Sequence, residues 1–402
     1  MEQEKKNKIA VKPFVLHEIF DFKRDFYKIS LVVEMLIIFV AFQILTNGVF
    51  LTARNLSNLF MQGATCSIVA ISMMLVIVST NADLSAGNAI GFMGVVAASL
   101  QVYGNLGAAP TILVTVLIGI VIGIWHGFWI GYMKLPAFIV TFASQLIFKG
   151  GILVVGNGVA IGPVKKGYSA LGSNYLPNLF GEETGLNILS LIVLLVVIAV
   201  YIISSFLKRK NQISEGFPVY KIGIYVISTL LISAAIFIVG SRMVYYKGFT
   251  YAVVILIVLA LAFNFIVKNT RFGRYVFAIG GNAEAARLSG INIERTVMSI
   301  YILHGILVAI AATVYLGRVG QATAQAGTGF EFTAISGCVI GGTSILGGRG
   351  TIIGAIIGTM LMMALDNGMS LMDVNSAYQY VIKGIVLMLA IALDVISKKR
   401  KG

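Results

Sequence analysis

The run LNILSLIVLLVVIAVYIISSFLKRK, from Leu186 to Lys210, is predominantly apolar over 186–207 and closes on Lys208, Arg209 and Lys210. A helix needs roughly 20 such residues to cross the hydrocarbon core of a bilayer. The run therefore predicts a transmembrane helix whose basic end is retained in the cytoplasm. Reading outward in both directions, further runs give spans at about 29–46, 57–79, 87–104, 111–131, 137–155, 221–240, 249–267, 296–316, 332–346, 351–367 and 379–396. The expected fold class is an all-α polytopic membrane protein with about 12 transmembrane segments. Residues 1–28 are read as a cytoplasmic N-terminal tail, 29–396 as the transmembrane domain and 397–402 as a basic cytoplasmic C-terminal tail. The run after the tail shows no small-residue cleavage site, so it is read as a retained first span.

Composition agrees with that reading. Of the 402 residues 58% are hydrophobic and 11% charged, against about 25% charged in soluble domains. The net charge of +14 does not point to nucleic acid, because the cations bracket apolar runs and do not form a stripe with interleaved aromatics. With both termini inside, six of the 30 Lys and Arg fall outside (Arg54, Lys165, Lys166, Arg242, Lys247 and Arg318). Lys149 and Lys383 fall within spans, and the remaining 22 lie inside. An odd number of spans would strand one of the basic runs, Lys208–Lys210 or Lys398–Lys401, on the wrong side.

Little in the chain suggests covalent chemistry. His17, His126 and His304 stand apart in sequence, without paired carboxylates or a nucleophile motif around them. His126, within Trp125-His126-Gly127-Phe128-Trp129, reads as part of an aromatic belt at the membrane interface. Cys66 and Cys338 sit in apolar sequence with no metal-ligand spacing, so no metal site is expected. No G-x-x-x-x-G-K-[ST] stretch occurs, so any ATP is bound by another subunit. Glycine and small polar residues interrupt the apolar pattern at Asn81–Gly87 and Gly341–Gly350, and either place can be a re-entrant loop or a broken helix. Asp83, Lys149, Asp366 and Lys383 are ionisable at membrane depth, where such groups face a partner or a water-filled path. Pairing of Asp366 with Lys383 and a role in the path stand as equal alternatives.

One inside segment is more specific. Gly281-Asn282-Ala283-Glu284-Ala285-Ala286-Arg287-Leu288-Ser289-Gly290-Ile291 reads as a short cytoplasmic helix stopped by glycine. Glu-Ala-Ala followed by this glycine is similar to the coupling-helix motif of ABC importer permeases, in the form found in the monosaccharide branch. Asp83-Leu84-Ser85-Ala86-Gly87 resembles a further block of that family, although Thr80-Asn81 stand where many members carry two glycines. Pro136-Ala137-Phe138-Ile139-Val140-Thr141 with Lys149-Gly150 resembles another. Gly327–Gly350, with Gly329-Phe330-Glu331 and Ile340-Gly341-Gly342-Thr343-Ser344, resembles a third, and Asn367–Ser370 and Lys383-Gly384 extend the match. The extra pair of spans near 186–240, added to a ten-span core, looks most like permeases of the D-xylose and multiple-monosaccharide type.

The resemblance implies a non-catalytic permease subunit that acts with a second copy of itself, a cytoplasmic ABC ATPase that binds ATP, and an extracellular or periplasmic sugar-binding protein. It implies coupling to the ATPase through Glu284, Ala285, Ala286 and Gly290. Candidates for the translocation path or its gate are Asp83, Ser85, Asn88, Thr141, Lys149, Glu331 and Thr343, with Ser85 and Asn88 expected to satisfy Asp83. Permeases for branched-chain amino acids or nucleosides are the runner-up readings. A secondary transporter is the alternative of a different class, with Asp83 as its one serious mid-span carboxylate.

Overall fold

In a computed structural model of the chain, the described residues are 35–179, 185–217, 219 and 222–399. Residues 1–34, which include the expected N-terminal tail and the start of the expected first span, and residues 180–184, 218, 220–221 and 400–402 lie outside them. In chain order the helices are α1 (Met35–Leu45), α2 (Ala53–Val78), α3 (Ala86–Val102), α4 (Ala108–Gly127), α5 (Ala137–Gly156), α6 (Lys166–Ser173), α7 (Ile188–Ser214) and α8 (Ile222–Tyr246). They continue with α9 (Tyr251–Asn269), α10 (Arg271–Gly281), α11 (Ala283–Leu288), α12 (Ile293–Val319), α13 (Phe330–Ile340), α14 (Ile352–Leu371) and α15 (Ser376–Lys399). Among the described residues eight helices are long and apolar enough to cross a membrane, and α1, α3, α13 and α15 contribute shorter apolar runs. The basic C-terminal tail does not begin as a separate segment, because α15 runs on as helix through Lys399.

α2 is the axis of the bundle. Thr52 caps it by accepting a hydrogen bond from the Asn55 amide, and every residue from Gly63 to Val78 is buried. A helix apolar on all sides has no solvent face to offer. It packs against α8, α9, α12, α13 and α14. Glycine sets the closest of the surrounding crossings. Gly119, Gly123 and Gly127 lie four residues apart along one face of α4, and their Cα atoms rest on the backbone of α12 at Gly305, Tyr301–Ile302 and Met298. A Cβ at Gly127 would lie 2.8 Å from Met298 Cα. This is the small-residue spacing by which membrane helices approach, where packing and not water exclusion drives association. Gly337 and Gly341 meet Gly354, Gly358 and Thr359 in the same way where α13 crosses α14.

α6 packs on α12 through Gly172 and Gly317, and short bridges at Ile161–Ala322 and Tyr175–Thr250 fasten the loop that carries it. α7 packs on α8, and both leave most of their large apolar side chains exposed, as lipid-facing helices do. The pair that the sequence reading treats as an addition to the core thus lies at its periphery.

Candidate functional site

The two interruptions foreseen in the apolar pattern are real breaks, and they meet. α2 stops at Val78, and the chain turns through Ser79–Ser85 before α3 begins. Thr80 sits at φ +64°, a left-handed conformation in which a β-branched residue is strained. The second break, Gly341–Thr351, folds back so that the Gly348 amide donates to the Val78 carbonyl at 2.9 Å, just where α2 ends. Gly347 and Gly348 have φ of +81° and +72°, and a Cβ on Gly347 would meet Thr80 and the carbonyls of Gly280 and Val78. Only glycine allows so close an approach.

α10 closes the same junction. Gly280 lies against the Val78 carbonyl and the Gly348 amide, so the backbones of α10, α2 and the α13–α14 loop touch directly. Asn282 then caps α11 by accepting from the Ala285 amide at 3.0 Å, and Gly290 ends the turn at φ +83°. Glu284, Ala285 and Leu288 face outward, with Leu288 82% exposed, while Glu294 holds Arg287 and Lys134 at 3.9 Å. Ala286 departs from the expectation. It is buried within this chain, because one face of the six-residue helix must rest on its own protein, and so it does not present itself to a partner's groove.

Asp83 sits inside the first break with 2% of its surface exposed. Its Oδ1 accepts from the Ser85 amide at 2.7 Å and the Ser85 hydroxyl at 2.6 Å, as expected of Ser85. Asn88 does not join in. One turn into α3 it faces α5, where its amide donates to the Gln145 carbonyl at 3.2 Å. The other carboxylate oxygen, Oδ2, lies 3.2 Å from His304 Nε2 and 3.5 Å from His126 Nδ1. Both histidines are buried. The isolation they show in sequence does not hold in space, since α4 and α12 cross beside the break and bring all three residues together. His126 is no part of an interfacial belt. It lies on the glycine face of α4 that packs on α12, whereas Trp125 and Phe128 point outward at 45% and 42% exposure. His304 is held in turn by Ser72 of α2, with Nδ1 2.8 Å from the hydroxyl oxygen.

The other candidates fall into two groups. Thr141 is buried and reaches the Ala82 carbonyl at 3.4 Å, and Tyr301 reaches the same oxygen at 3.5 Å. Glu331, 1% exposed at the start of α13, packs against Gly87, and its Oε2 has no hydrogen-bond partner among the described residues. Thr343 is buried in the second break beside Gly350. These residues surround the junction. Lys149 lies away from it on α5 and donates to the Ala324 carbonyl at 2.9 Å, tying α5 to the exterior segment before α13. Asp366 and Lys383 pair at 3.0 Å between α14 and α15, which favours the structural of their two readings.

The sequence profile described as "Branched-chain amino acid transport system / permease component" matches residues 55–391, a stretch that contains both breaks and α11. The chain belongs to this permease family. The permease is 37% identical over 370 residues to the xylose transport system permease protein of Escherichia coli (strain K12), covering 92% of each chain. It is 36% identical over 378 residues to the xylose permease of Haemophilus influenzae, covering 92% of this chain and 96% of that one. The ribose import permease protein of E. coli (strain K12) is 30% identical over 345 residues, with 86% of this chain and 87% of the relative covered. No solved structure matches the permease.

Proposed function

We propose that this chain is the membrane-spanning permease subunit of an ATP-driven monosaccharide importer in the bacterial cell membrane, with xylose or several related sugars as cargo. It acts as a pair of identical subunits, with a cytoplasmic ABC ATPase beneath and an exterior sugar-binding protein above. It holds no nucleotide itself, and ATP stays on the ATPase. The observation that carries the reading is the backbone contact running from the exposed α11 through Gly280 to Val78 and Gly348. ATP-driven closure of the ATPase pair moves α11. Glycine contacts without intervening side chains pass that displacement to both breaks, and packed helices then shift as rigid bodies. Asp83, Ser85, Thr141, Glu331 and Thr343 line or steady the part that moves. The transport cycle makes and breaks no covalent bond in this subunit.

The test is the double variant Glu284→Lys/Gly290→Val. The first change reverses the charge offered to the ATPase. The second forces a β-branched residue to φ +83°, at a cost of about 1–3 kcal/mol. Space around Gly290 is open, so the bundle itself should still insert. The variant should lose ATPase association and sugar-stimulated ATP hydrolysis together, while the binding protein's affinity for sugar is unchanged. Normal uptake with the ATPase still attached would overturn the coupling assignment, and uptake without any ATPase would favour a secondary transporter.

A further inference from the structure

Asp83 is a carboxylate at membrane depth, and among the described residues the bases that face its free oxygen are His126 and His304. A buried carboxylate calls for a counter-charge, and among the described residues the two imidazoles are the groups placed to supply it. An imidazolium donates from both ring nitrogens and therefore needs two acceptors. His304 comes nearer to having them. Its Nδ1 lies 2.8 Å from Ser72 Oγ, and its Nε2 lies 3.2 Å from Asp83 Oδ2, at ion-pair distance although the ring nitrogen is not aligned for a hydrogen bond. The one hydroxyl proton of Ser72 is directed at the Val69 carbonyl, 3.0 Å away, which leaves a lone pair for Nδ1–H. His126 has a single acceptor, Asp83 at 3.5 Å, and its Nε2 is buried with no partner among the described residues. A second proton there would sit unsatisfied in an apolar site, which disfavours it. The other titratable groups beside the cluster are Tyr301, against the His126 ring at a 5.7 Å centroid distance, and Glu331, within electrostatic reach of Asp83. Neither brings positive charge.

We propose that His304, and not His126, is the counter-ion of Asp83: a fixed imidazolium–carboxylate pair that pins the break between α2 and α3 to α12, with neutral His126 as a second donor. His304 and Asp83 act as positioning residues. They hold the break at one place on α12, so that motion arriving from α10 shifts a defined junction and does not loosen it. The inference stands on the geometry alone, and only the activity arm of its test rests on the proposed transport function.

The chain has three histidines, so ring-nitrogen NMR of the full-length protein in lipid vesicles, labelled at histidine nitrogens and aspartate carboxyls, gives a resolvable spectrum. His17→Gln removes the tail signal. At neutral pH one buried ring should carry protons on both nitrogens and couple to an aspartate carboxyl, and it should persist in His126→Gln and vanish in Asp83→Asn. Two singly protonated buried rings in the unmutated protein, or a charged ring lost in His126→Gln and kept in His304→Gln, would overturn the proposal without touching the transport reading. With ATPase and binding protein reconstituted, His304→Gln alone should lower sugar-stimulated hydrolysis by at least about tenfold, because it leaves the buried carboxylate without its counter-charge. Adding Asp83→Asn to His304→Gln should relieve part of that loss, since no unpaired charge remains, without restoring the activity of the unmutated protein. A double variant as impaired as His304→Gln alone would count against the pair.

Discussion

Replacing Gly280 with alanine tests the mechanical link at its narrowest point. A Cβ at this position would lie 2.7 Å from the Gly348 amide nitrogen and 2.8 Å from the Val78 carbonyl carbon, and closer still to the Val78 oxygen. All three are backbone atoms, so no side chain can swing away. Over-packing of this kind costs about 1–3 kcal/mol. Separating the strands of chain far enough to admit the methyl group also breaks the 2.9 Å hydrogen bond from Gly348 to Val78, for a further cost of about 1–3 kcal/mol. The combined penalty of about 2–6 kcal/mol is a large part of the 5–15 kcal/mol by which folded proteins are typically stable. The neighbouring residue is the control. Gly281 has nothing within 4 Å of a built Cβ and no positive φ, so alanine there should change stability by less than about 0.5 kcal/mol. Thermal inactivation of the two variants in lipid nanodiscs, followed by sugar-stimulated ATP hydrolysis with the partner proteins added, separates them. Gly280→Ala should melt earlier and hydrolyse ATP without responding to sugar, whereas Gly281→Ala should match the unmutated protein. Two alanine variants that behave alike in both assays would refute the idea that α10 is wedged against the end of α2.

Single cysteines at 165 and 242 should react with an impermeant reagent added outside sealed cells, and one at 284 should not; the native Cys66 and Cys338 are buried and contribute little background. Thr80→Gly should raise the denaturation midpoint by about 1 kcal/mol of stability, because it relieves φ +64° at a β-branched residue, and a fall would mean that the contacts of the threonine outweigh its strain. Asp366→Asn and Lys383→Gln should each destabilise by about 1–2 kcal/mol, between the values for exposed and buried pairs, since the partners are 21% and 25% exposed. Combining them should cost less than the sum, as read by a double-mutant cycle on thermal unfolding.

The apolar helices are legible because hydropathy over 20 residues is a local property. Each of the twelve runs overlaps a helix, although eight helices among the described residues are long and apolar enough to cross a membrane, and the two interruptions are breaks between helices. Asp366 and Lys383 were also within reach of sequence, being 17 residues apart on adjacent helices. The histidine cluster was not. Ser72 and His304 are 232 residues apart, and nothing local to Trp125–Trp129 distinguishes the inward His126 from its outward neighbours until the glycine stripe of α4 is known to face α12. That stripe, Gly119-x-x-x-Gly123-x-x-x-Gly127, was the signal that could have turned His126 inward. Ala286 and Asn88 misled for the same reason. A helix of six residues, or a single amide at the start of one, does not declare its face without its neighbours. The threonine at 80 was noticed as a departure from the family's glycine, and its left-handed backbone shows what the glycine is there to supply.

The partnership between the ends of this chain also has a history in time. Ribosomes add about 5–20 residues each second, so the 221 residues between Asp83 and His304 correspond to roughly 11–44 seconds of synthesis. Throughout that interval α2 and the break behind it are already made, while the histidine that neutralises Asp83 does not yet exist. An unpaired aspartate costs up to about 3.5 kcal/mol on insertion scales, the full amount applying at the bilayer centre. The nascent chain therefore has to wait beside the insertion machinery or with water about its carboxylate until α12 arrives. A product truncated before residue 304 carries that lone charge permanently, a mark of incompleteness that membrane quality control can read without knowing anything of sugar.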